Sequence, residues 1–428
     1  MGVVFIIKLD LFKLHDKSND IRLRNFIVAK GKDLKYKLEY LINDHNKTEL
    51  VKFFSQKYKI SKSSAEKLIY LSREWYPLIF IEDLLKLNKR LNLKWNIQDS
   101  IEYLKANNPP VRQVKACKIL SDNLCKIAGA HAADGTLAKD SLIRITDYNF
   151  KNIEAFSRWF KEEFEFNTKI IQVEQSSQEF CIEFKNKVIS RYFSKIFNFP
   201  IGYKTDIVTE PEIIKKSSLN LRKSFTLGAF TFEAGVDMKY DIALCVLSKK
   251  FRDSLSEILN LCNVQHVSSN KQSCGYWRLW SYQLNKDNVS EWMNFFEENT
   301  EKWNSLKSLR DGFTKLVNSY DEAKYTLNNI YPKKSANKIQ IIHVLEIIKE
   351  EKEAYRYKIV EDLCKKYKLN SFGGKWGHSL APHLKILEMS NIIHKEKKKF
   401  GKKKSFGSII RNVYIYNSDI KSWRLPEI

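Results

Sequence analysis

Two short segments of the chain each end a run of small and apolar residues in a single carboxylate. Residues 127–135 read IAGAHAADG, and residues 227–234 read LGAFTFEA. In each segment the acid, Asp134 or Glu233, follows a glycine, Gly129 or Gly228, by five residues. Helices of this kind packed side by side would bring two carboxylates to one end of an interface. Paired carboxylates hold divalent cations, which supply the charge neutralisation and activated water needed to hydrolyse a phosphodiester.

The glycine in each segment indicates how the two helices, and with them the two acids, could come close together. A glycine within a helix lets a second backbone approach closely, because no Cβ stands between the two helices. Alone, either segment is interpreted more plainly as a small-residue helix with a surface acid. The two segments stand 99 residues apart, measured from Gly129 to Gly228, and each is followed by the same order of elements. That repetition favours a shared site over two unrelated helices.

The elements that position the acids occur in two passes across residues 115–300. Each pass reads as a helix, a strand, a second helix, two strands and a third helix. An internal duplication with a period near 100 residues is the simplest account, and it predicts pseudo-twofold symmetry.

These residues together resemble the LAGLIDADG (DOD-type) homing endonucleases, specifically the single-chain type with two motifs. The first motif matches well, whereas the second has Ala234 where the family usually has glycine. The resemblance implies an α+β fold, a duplicated αββαββα core whose two saddle-shaped antiparallel sheets cover a long, specific site in double-stranded DNA. It also implies a monomer in which Asp134 and Glu233 bind Mg²⁺, one acid for each strand that is cut.

The resemblance also indicates a lysine in a loop after the last helix of each unit. Lys204 occupies that loop in the first unit. In the second unit Lys302 is preferred as the catalytic lysine, with Lys307 as the other candidate. A polar residue that ends the second strand is implied as well, which indicates Asp147 and Ser248.

The sheets of such a core read DNA through side chains that alternate with apolar ones. In the stretch from Tyr276 to Trp280, we expect the two tryptophans to be core residues and Arg278 to face the DNA. The full set of expected DNA-facing residues is Arg144, Lys169, Gln172, Lys239, Arg278 and Gln283.

The composition agrees with a nucleic-acid partner. The chain has 428 residues, with 74 Lys and Arg against 50 Asp and Glu, which gives a formal charge of +24. An excess of this size is typical of proteins that bind polyanions, although a lysine-rich genome would also produce it. The seven cysteines are odd in number and form no C-x-x-C pair. Zinc ribbons and disulfide frameworks are therefore not expected. We expect the protein to reside in the reducing cytoplasm.

The chain divides into four predicted domains. Residues 1–108 form a mostly helical N-terminal domain in which two helices near Glu49 and Ser61 resemble a helix-turn-helix. Residues 115–205 and 206–310 are the two repeats. Residues 336–428 hold three amphipathic helices and a lysine-rich run between two strands, the order of a winged helix. Its expected DNA contacts are Lys385 on the third helix and, in the wing, Lys397, Lys398, Lys399, Lys402 and Lys403.

Two other functions compete with cleavage. A LAGLIDADG core that had lost its activity would serve as a DNA-binding transcription regulator, and a winged helix suits that role. Members of the family also act as RNA maturases. The presence of both Asp134 and Glu233 favours the nuclease, because a binding protein has no chemical use for the pair.

Overall fold

The structure is a computed structural model of the chain. It describes residues 6–15, 26–91, 93, 95–107, 112–173, 179–236, 242–269, 275–281, 289–296, 315–330, 339–368, 380–402, 408–418 and 423–425. These form a mixed α+β protein with several antiparallel sheets, as the sequence predicts. The chain separates into two compact units. Unit 1 contains residues 1–235 and 243–280, and unit 2 contains residues 236–242 and 281–428.

The N-terminal part of unit 1 combines helices with a small sheet. Its helices are α1 (Leu34–Asn43), α2 (Lys47–Tyr58), α3 (Lys62–Ile69) and α4 (Leu78–Leu87). Its strands are β1 (Ile27–Lys30), β2 (Tyr76–Pro77), β3 (Tyr103–Ala106) and β4 (Val114–Lys115), in the order β2-β1-β3-β4. The region is therefore less purely helical than the sequence predicts. Before this sheet, Lys8 forms an isolated antiparallel bridge with Ile119.

The two helices predicted near Glu49 and Ser61 are present as α2 and α3. The Lys59 backbone has a φ of 51°, which ends α2 in the left-handed conformation. The Ser61 side chain accepts a hydrogen bond from the Ser64 backbone N–H and caps α3. The chain therefore turns within three residues between two packed helices, as in a helix-turn-helix.

The first pass of the repeated order follows. It consists of α5 (Asp122–Asp134), β5 (Gly135–Leu137), β6 (Leu142–Asp147), α6 (Phe150–Phe164), β7 (Ile170–Gln172), β8 (Phe180–Lys185) and α7 (Lys187–Arg191). One turn of π-helix, Tyr192–Ile196, extends α7. The sheet order is β5-β6-β8-β7. Its helix-facing side is covered by a core rich in aromatic rings, among them Phe156, Phe160 and Trp159 of α6.

The second pass repeats the order of the first. After a short helix α8 (Glu212–Lys215), the chain forms α9 (Leu219–Glu233), β9 (Ala234–Val236), β10 (Ile242–Val246), α10 (Lys249–Leu261), β11 (His266–Ser268), β12 (Trp277–Ser281) and α11 (Val289–Phe295). The sheet order is β9-β10-β12-β11, the same as in the first pass. Both passes therefore have the element order αββαββα.

Unit 2 contains a compact module near the end of the chain. Before it come β13 (Lys315–Val317) and α12 (Tyr320–Ile330), and β13 pairs with the last strand, β17 (Trp423–Leu425). The module itself runs α13 (Ile341–Glu351), β14 (Glu353–Tyr355), α14 (Arg356–Lys366), α15 (Ala381–Met389), β15 (Ile393–Lys402) and β16 (Ser408–Tyr416). The sheet order is β14-β16-β15.

One feature of this module differs from the prediction. The sequence predicts the lysine-rich run as a wing flanked by two strands, whereas residues up to Lys402 belong to strand β15 itself. The run is paired with β16 along almost its whole length, from Ile393 opposite Tyr416 to Lys402 opposite Ser408. Backbone pairing imposes the extended conformation here despite the low β-propensity of lysine. Across the part of the chain that the structure describes, no helix is long and apolar enough to span a bilayer.

Candidate functional site

The site lies where α5 and α9 cross. At the crossing, Gly129 of α5 packs against the backbone of α9, and Gly228 of α9 packs against the backbone of α5. A Cβ on Gly129 would lie 1.9 Å from the carbonyl oxygen of Phe225, three residues before Gly228. A Cβ on Gly228 would lie 2.0 Å from the carbonyl oxygen of Lys126, three residues before Gly129. Only glycine permits this approach at either position. The reciprocal contact is what a twofold relation between the two helices would produce.

The two helices run side by side in the same direction. Near their N-termini the Ser224 hydroxyl donates to the Asp122 carboxylate at 3.0 Å. Near their C-termini the Lys204 ammonium interacts electrostatically with both terminal acids, Asp134 and Glu233. The acids are the last residues of α5 and α9. The crossing therefore brings both carboxylates to the same end of the interface, as their spacing from the glycines predicts.

The residues that follow the acids explain why one motif tolerates alanine. Gly135 and Ala234 both have extended backbones, with φ of −76° and −86°, and each begins a strand. Neither position requires a positive φ, so the alanine of the second motif introduces no backbone strain. The helix-end geometry of the second motif is therefore preserved.

Lys204 occupies the C-terminal end of α5. It is buried, with 7% of its surface exposed, and its ammonium donates to the carbonyl oxygens of His131, Ala132 (2.9 Å) and Ala133 (3.5 Å). These oxygens belong to the last turn, where carbonyls lack donors within the helix, and a cation there also opposes the negative end of the helix dipole. Burial lowers the pKa of Lys204 to about 7, while Asp134 and Glu233 act in the opposite direction.

Asp134 projects from the helix end into a concave surface formed by the open face of the first sheet. Partial desolvation by the surrounding protein raises the pKa of Asp134 to about 6. Lys204 opposes this shift, and the carboxylates of Asp147 and Glu179 add to it. The Asp134 side chain reaches solvent. The nearby carboxylates of Asp147 and Glu179 add negative charge, which favours the binding of a cation at this position.

His131 lies directly behind this site and is fully buried. Its ring stacks on Phe193 with a centroid distance of 4.2 Å and also contacts Phe199 at 5.2 Å. Neither ring nitrogen has a hydrogen-bond partner among the described residues. Burial, reinforced by the nearby Lys204, lowers the pKa of His131 well below its usual value. Counted from the glycines, His131 corresponds to Phe230, and it acts here as a neutral aromatic core residue.

The segment that carries Lys204 is tied to α9 by a buried ion pair. Arg222 donates to both carboxylate oxygens of Glu210 at 2.8 Å, and to Glu257 of α10 at 3.1 Å. The Glu210 side chain is fully buried. Ser248, expected as a polar residue near the site, donates instead to the Val208 carbonyl and caps α10. These contacts fix the connection between the two passes.

The strand register decides which predicted DNA-facing residues share a surface. Arg144 of β6 lies opposite Thr136 of β5 and Glu183 of β8, on the open face of the first sheet. Gln172 of β7 lies opposite Phe180, which lies opposite Asp147. Since successive residues of a strand alternate between faces, Gln172 is on the opposite face from Arg144. This differs from the expected shared face. Lys169 is exposed and precedes β7.

On the second sheet, the register places Arg278 on the same face as Trp280. Cys245 lies opposite Arg278 and Ala243 opposite Trp280. The Arg278 guanidinium carbon lies 5.2 Å from the Trp280 ring centroid. Trp277 is on the helix-facing side with the buried Leu279 but is itself half-buried, and Trp280 is half-buried on the open face. Three predicted residues, Lys239, Gln283 and Lys302, lie outside the described residues, as does Lys307.

The predicted DNA contacts of unit 2 are on α15 and β15. Lys385 is half-buried on α15, and Lys397 is exposed on β15. Lys398 forms an ion pair with Glu353 of β14. Lys399 and Lys402 belong to β15, and Lys403 lies outside the described residues.

Three polar residues near the acids were not predicted as part of the site. Glu179 and Glu183 line the concave surface with Asp134, and Asn152 of α6 bonds to Asp147. The alternation of β8 contained the signal for Glu183, since Cys181, Glu183 and Lys185 share a face. Asn152 gave no signal, because a single asparagine in the first turn of a helix is common.

The donor set fits Mg²⁺ better than a cation that needs an all-protein cage. Among the described residues, no group of three or more His, Cys, Asp or Glu side chains is arranged to hold a metal ion. Mg²⁺ is usually held by one or two carboxylates, with waters and substrate phosphates completing its shell. Asp134 and Glu233, which end the two helices at the crossing, could provide such a pair.

Comparisons with known proteins found structural similarity without sequence similarity. No family model and no curated protein matches the sequence. Among solved structures, the homing endonuclease I-DmoI in complex with DNA and Mn matches 42% of this chain and 99% of its own, with 14% identity and a TM-score of 0.32. The N-terminal LAGLIDADG domain of DUF199/WhiA matches 43% and 86%, with 13% identity and a TM-score of 0.31. Full-length DUF199/WhiA from Thermatoga maritima matches 54% and 73%, with 12% identity and a TM-score of 0.30.

Proposed function

We propose that this protein is a site-specific, metal-dependent double-strand DNA endonuclease of the LAGLIDADG homing type. The observation that carries the proposal is the crossing of α5 and α9. Parallel helices meet through reciprocal glycines and end in Asp134 and Glu233, and one buried cation, Lys204, interacts with both acids. A structural helix pair would have no need of two acids and a buried lysine at one end.

The repeated element order supports a duplicated core. In this proposal, residues 115–205 and 206–310 are the two repeats. The sheets of the two passes have the same order of strands. The duplication gives one chain two related acids, so a monomer is sufficient to cut two strands. The proposed substrate is double-stranded DNA with a long target site, in the cytoplasm.

In the proposed mechanism, Asp134 and Glu233 are the residues that would hold Mg²⁺. When bound, the cation supplies charge neutralisation at the scissile phosphate and lowers the pKa of water. Lys204 directs its N–H groups to three helix carbonyls. It therefore acts through its charge, which offsets the repulsion between the acids, rather than as a proton donor. Asp147 and Glu179 add negative charge beside Asp134. Lys302 is the proposed counterpart of Lys204 in the second repeat.

The proposed DNA surface comprises the open faces of the two sheets. Arg144 and Arg278 lie on these faces and have the donor geometry that reads guanine in the major groove. Lys169 immediately precedes β7 and is suited to phosphate contacts. Lys239 and Gln283 remain proposed base or phosphate contacts.

Further DNA contacts are proposed outside the core. The order α13-β14-α14-α15-β15-β16 is that of a winged helix, in which α15, with Lys385, enters a groove. The β15–β16 hairpin would then contact phosphates through Lys397, Lys398, Lys399, Lys402 and Lys403. In the N-terminal domain, the α2–α3 pair is a second proposed DNA-binding element.

A DNA-binding regulator is the second candidate function. The winged-helix order of unit 2 favours it, because such a module binds DNA without any need for cleavage. The regulator, and likewise an RNA maturase, leaves the association of Asp134, Glu233 and Lys204 without a role.

Cleavage of a plasmid library containing candidate target sites separates these functions. The protein is incubated with Mg²⁺, or with Ca²⁺, which supports binding without cutting. We expect linear product at one site in Mg²⁺ only. Asp134→Asn and Glu233→Gln should each abolish double-strand cutting or reduce it to nicking, with DNA affinity in Ca²⁺ within about twofold of wild type. Glu212→Gln, which removes an exposed acid paired with Lys216, is the matched control. Tight binding at one site with no cutting would favour the regulator.

A further inference from the structure

The last turns of α5 and α9 are capped at equivalent positions by two chemically different side chains. Ala132 and Thr231 each stand three residues after the motif glycine of their helix. The Ala132 carbonyl accepts a hydrogen bond from the Lys204 ammonium at 2.9 Å. The Thr231 carbonyl accepts one from the Asn152 side-chain amide, also at 2.9 Å. The same backbone position is therefore held by a cation in one motif and by a neutral amide in the other.

Asn152 also connects the end of α9 to a carboxylate beside the other motif. It is 3% exposed, and both N–H bonds of its amide are used, one on Thr231 and one on the Asp147 carboxylate at 2.9 Å. The second oxygen of Asp147 accepts the Asn149 backbone N–H at 2.7 Å. Asp147 is in turn one of the acids whose charge acts on Asp134.

The contact lies close to the chemistry on both sides. Thr231 is two residues before Glu233 in the same helix turn. One turn beyond Asn152 on α6, the Phe156 ring packs edge-on against Phe232 with a centroid distance of 5.7 Å. A rigid helix of the first pass therefore holds the last turn of the second motif helix by one polar and one aromatic contact.

We propose that Asn152 is a positioning residue that fixes Glu233 relative to Asp147 and Asp134. This inference rests on the proposed nuclease function. A carboxylate at a helix end moves with its last turn, and catalytic geometry is sensitive to displacements of about 1 Å. Asn152 makes on the Thr231 carbonyl the contact that Lys204 makes on the equivalent Ala132 carbonyl, so these two capping contacts depend on different side chains. Loss of Asn152 should then affect cleavage of the two DNA strands unequally.

The test compares Asn152→Ala and Asn152→Asp with wild type by the cleavage rate of each labelled strand. The aspartate variant keeps the side-chain volume but removes both donors, and it guards against a packing defect in the alanine variant. We expect one strand to be cut roughly tenfold more slowly than the other, so that nicked DNA accumulates. Binding in Ca²⁺ should stay close to wild type for both variants, whereas the melting temperature of Asn152→Asp should fall, because its carboxylate is buried beside that of Asp147.

Asn123→Ala is the matched control, because Asn123 also joins two helices, through a 2.8 Å bond from α5 to Glu162 of α6, but at an exposed position. It should leave both strand rates unchanged. Equal slowing of both strands by the Asn152 variants, or no slowing, would overturn the positioning role.

Hydrogen exchange of the backbone tests the same contact without cleavage. Amides in the last turn of α9 and in β9 should exchange faster in Asn152→Ala than in wild type or Asn123→Ala. If wild type cuts no DNA, the nuclease proposal fails and this measurement alone decides the coupling. Unchanged exchange in that turn would then reject the inference.

Discussion

Gly129 lies against the carbonyl oxygen of Phe225 so closely that a Cβ at residue 129 would stand 1.9 Å from that oxygen. We therefore predict that Gly129→Ala forces the two motif helices apart. Overpacking of a tight contact costs about 1–3 kcal/mol, and this contact involves rigid backbone rather than a flexible side chain. Urea unfolding, followed by circular dichroism, measures the loss.

The control for this substitution is Gly235→Ala. Nothing lies within 4 Å of a Cβ built at residue 235, so its unfolding free energy should stay within about 0.5 kcal/mol of wild type. Equal stability of the two alanine variants would mean that the helices are not in backbone contact at Gly129.

The buried Lys204 predicts a dependence of stability on pH. Burial lowers its folded pKa to about 7, whereas the unfolded side chain titrates near 10.4. Between these values the unfolded chain binds the proton that the folded chain has released, so Lys204 makes the protein more stable as pH rises. We expect the stability of wild type relative to Lys204→Met to increase by at least about 1 kcal/mol from pH 7 to pH 10.

Denaturant titrations of both proteins at several pH values measure this difference. Lys216→Met, which removes an exposed lysine, should show a constant difference from wild type over the same range. A constant difference for Lys204→Met as well would contradict the burial of the ammonium.

The sequence predicts the motif helices because their chemistry is repeated at a fixed spacing. Gly129 and Gly228 each precede an acid by five residues. If the helices pack at these glycines, as they do, the spacing alone brings the two acids to the same end of the helix pair. Lys204 was expected only through the family resemblance. Its loop has no periodicity, and its function as a helix cap depends on where the chain returns after α7.

Residues whose placement depends on a distant strand were harder to predict. Gln172 belongs to the three-residue strand β7, and its face is set by the pairing with β8 rather than by local alternation. Trp280 was expected in the core because it is large and apolar, but the register places it beside Arg278 on the open face. Cross-strand register is a tertiary property, which a single strand does not specify.

Lys397 predicts how strongly salt affects DNA binding. It is exposed on β15 and has no ion pair among the described residues, so its charge is available for a phosphate. Each phosphate contact releases about one counterion, so Lys397→Ala should reduce the slope of log K against log salt by about 1. Lys358→Ala, which removes a lysine already paired with Asp362 at 3.0 Å, should leave the slope unchanged. Filter binding at four or more salt concentrations gives both slopes, and equal slopes for wild type and Lys397→Ala would remove this residue from the interface.

We predict that the buried ion pair of Arg222 and Glu210 stabilises the connection between the two passes. Loss of Arg222 alone should therefore destabilise the protein. Both side chains are buried, and the guanidinium donates to both carboxylate oxygens at 2.8 Å. Arg222→Met leaves the Glu210 carboxylate buried without its cation, which costs about 3–5 kcal/mol. Adding Glu210→Leu removes the stranded charge, so the double variant should recover most of that stability. Because Glu210 lies six residues after Lys204, the single variant should also loosen the Lys204 cap, seen as faster hydrogen exchange in the last turn of α5. A double variant no more stable than Arg222→Met would show that the pair contributes packing rather than charge compensation.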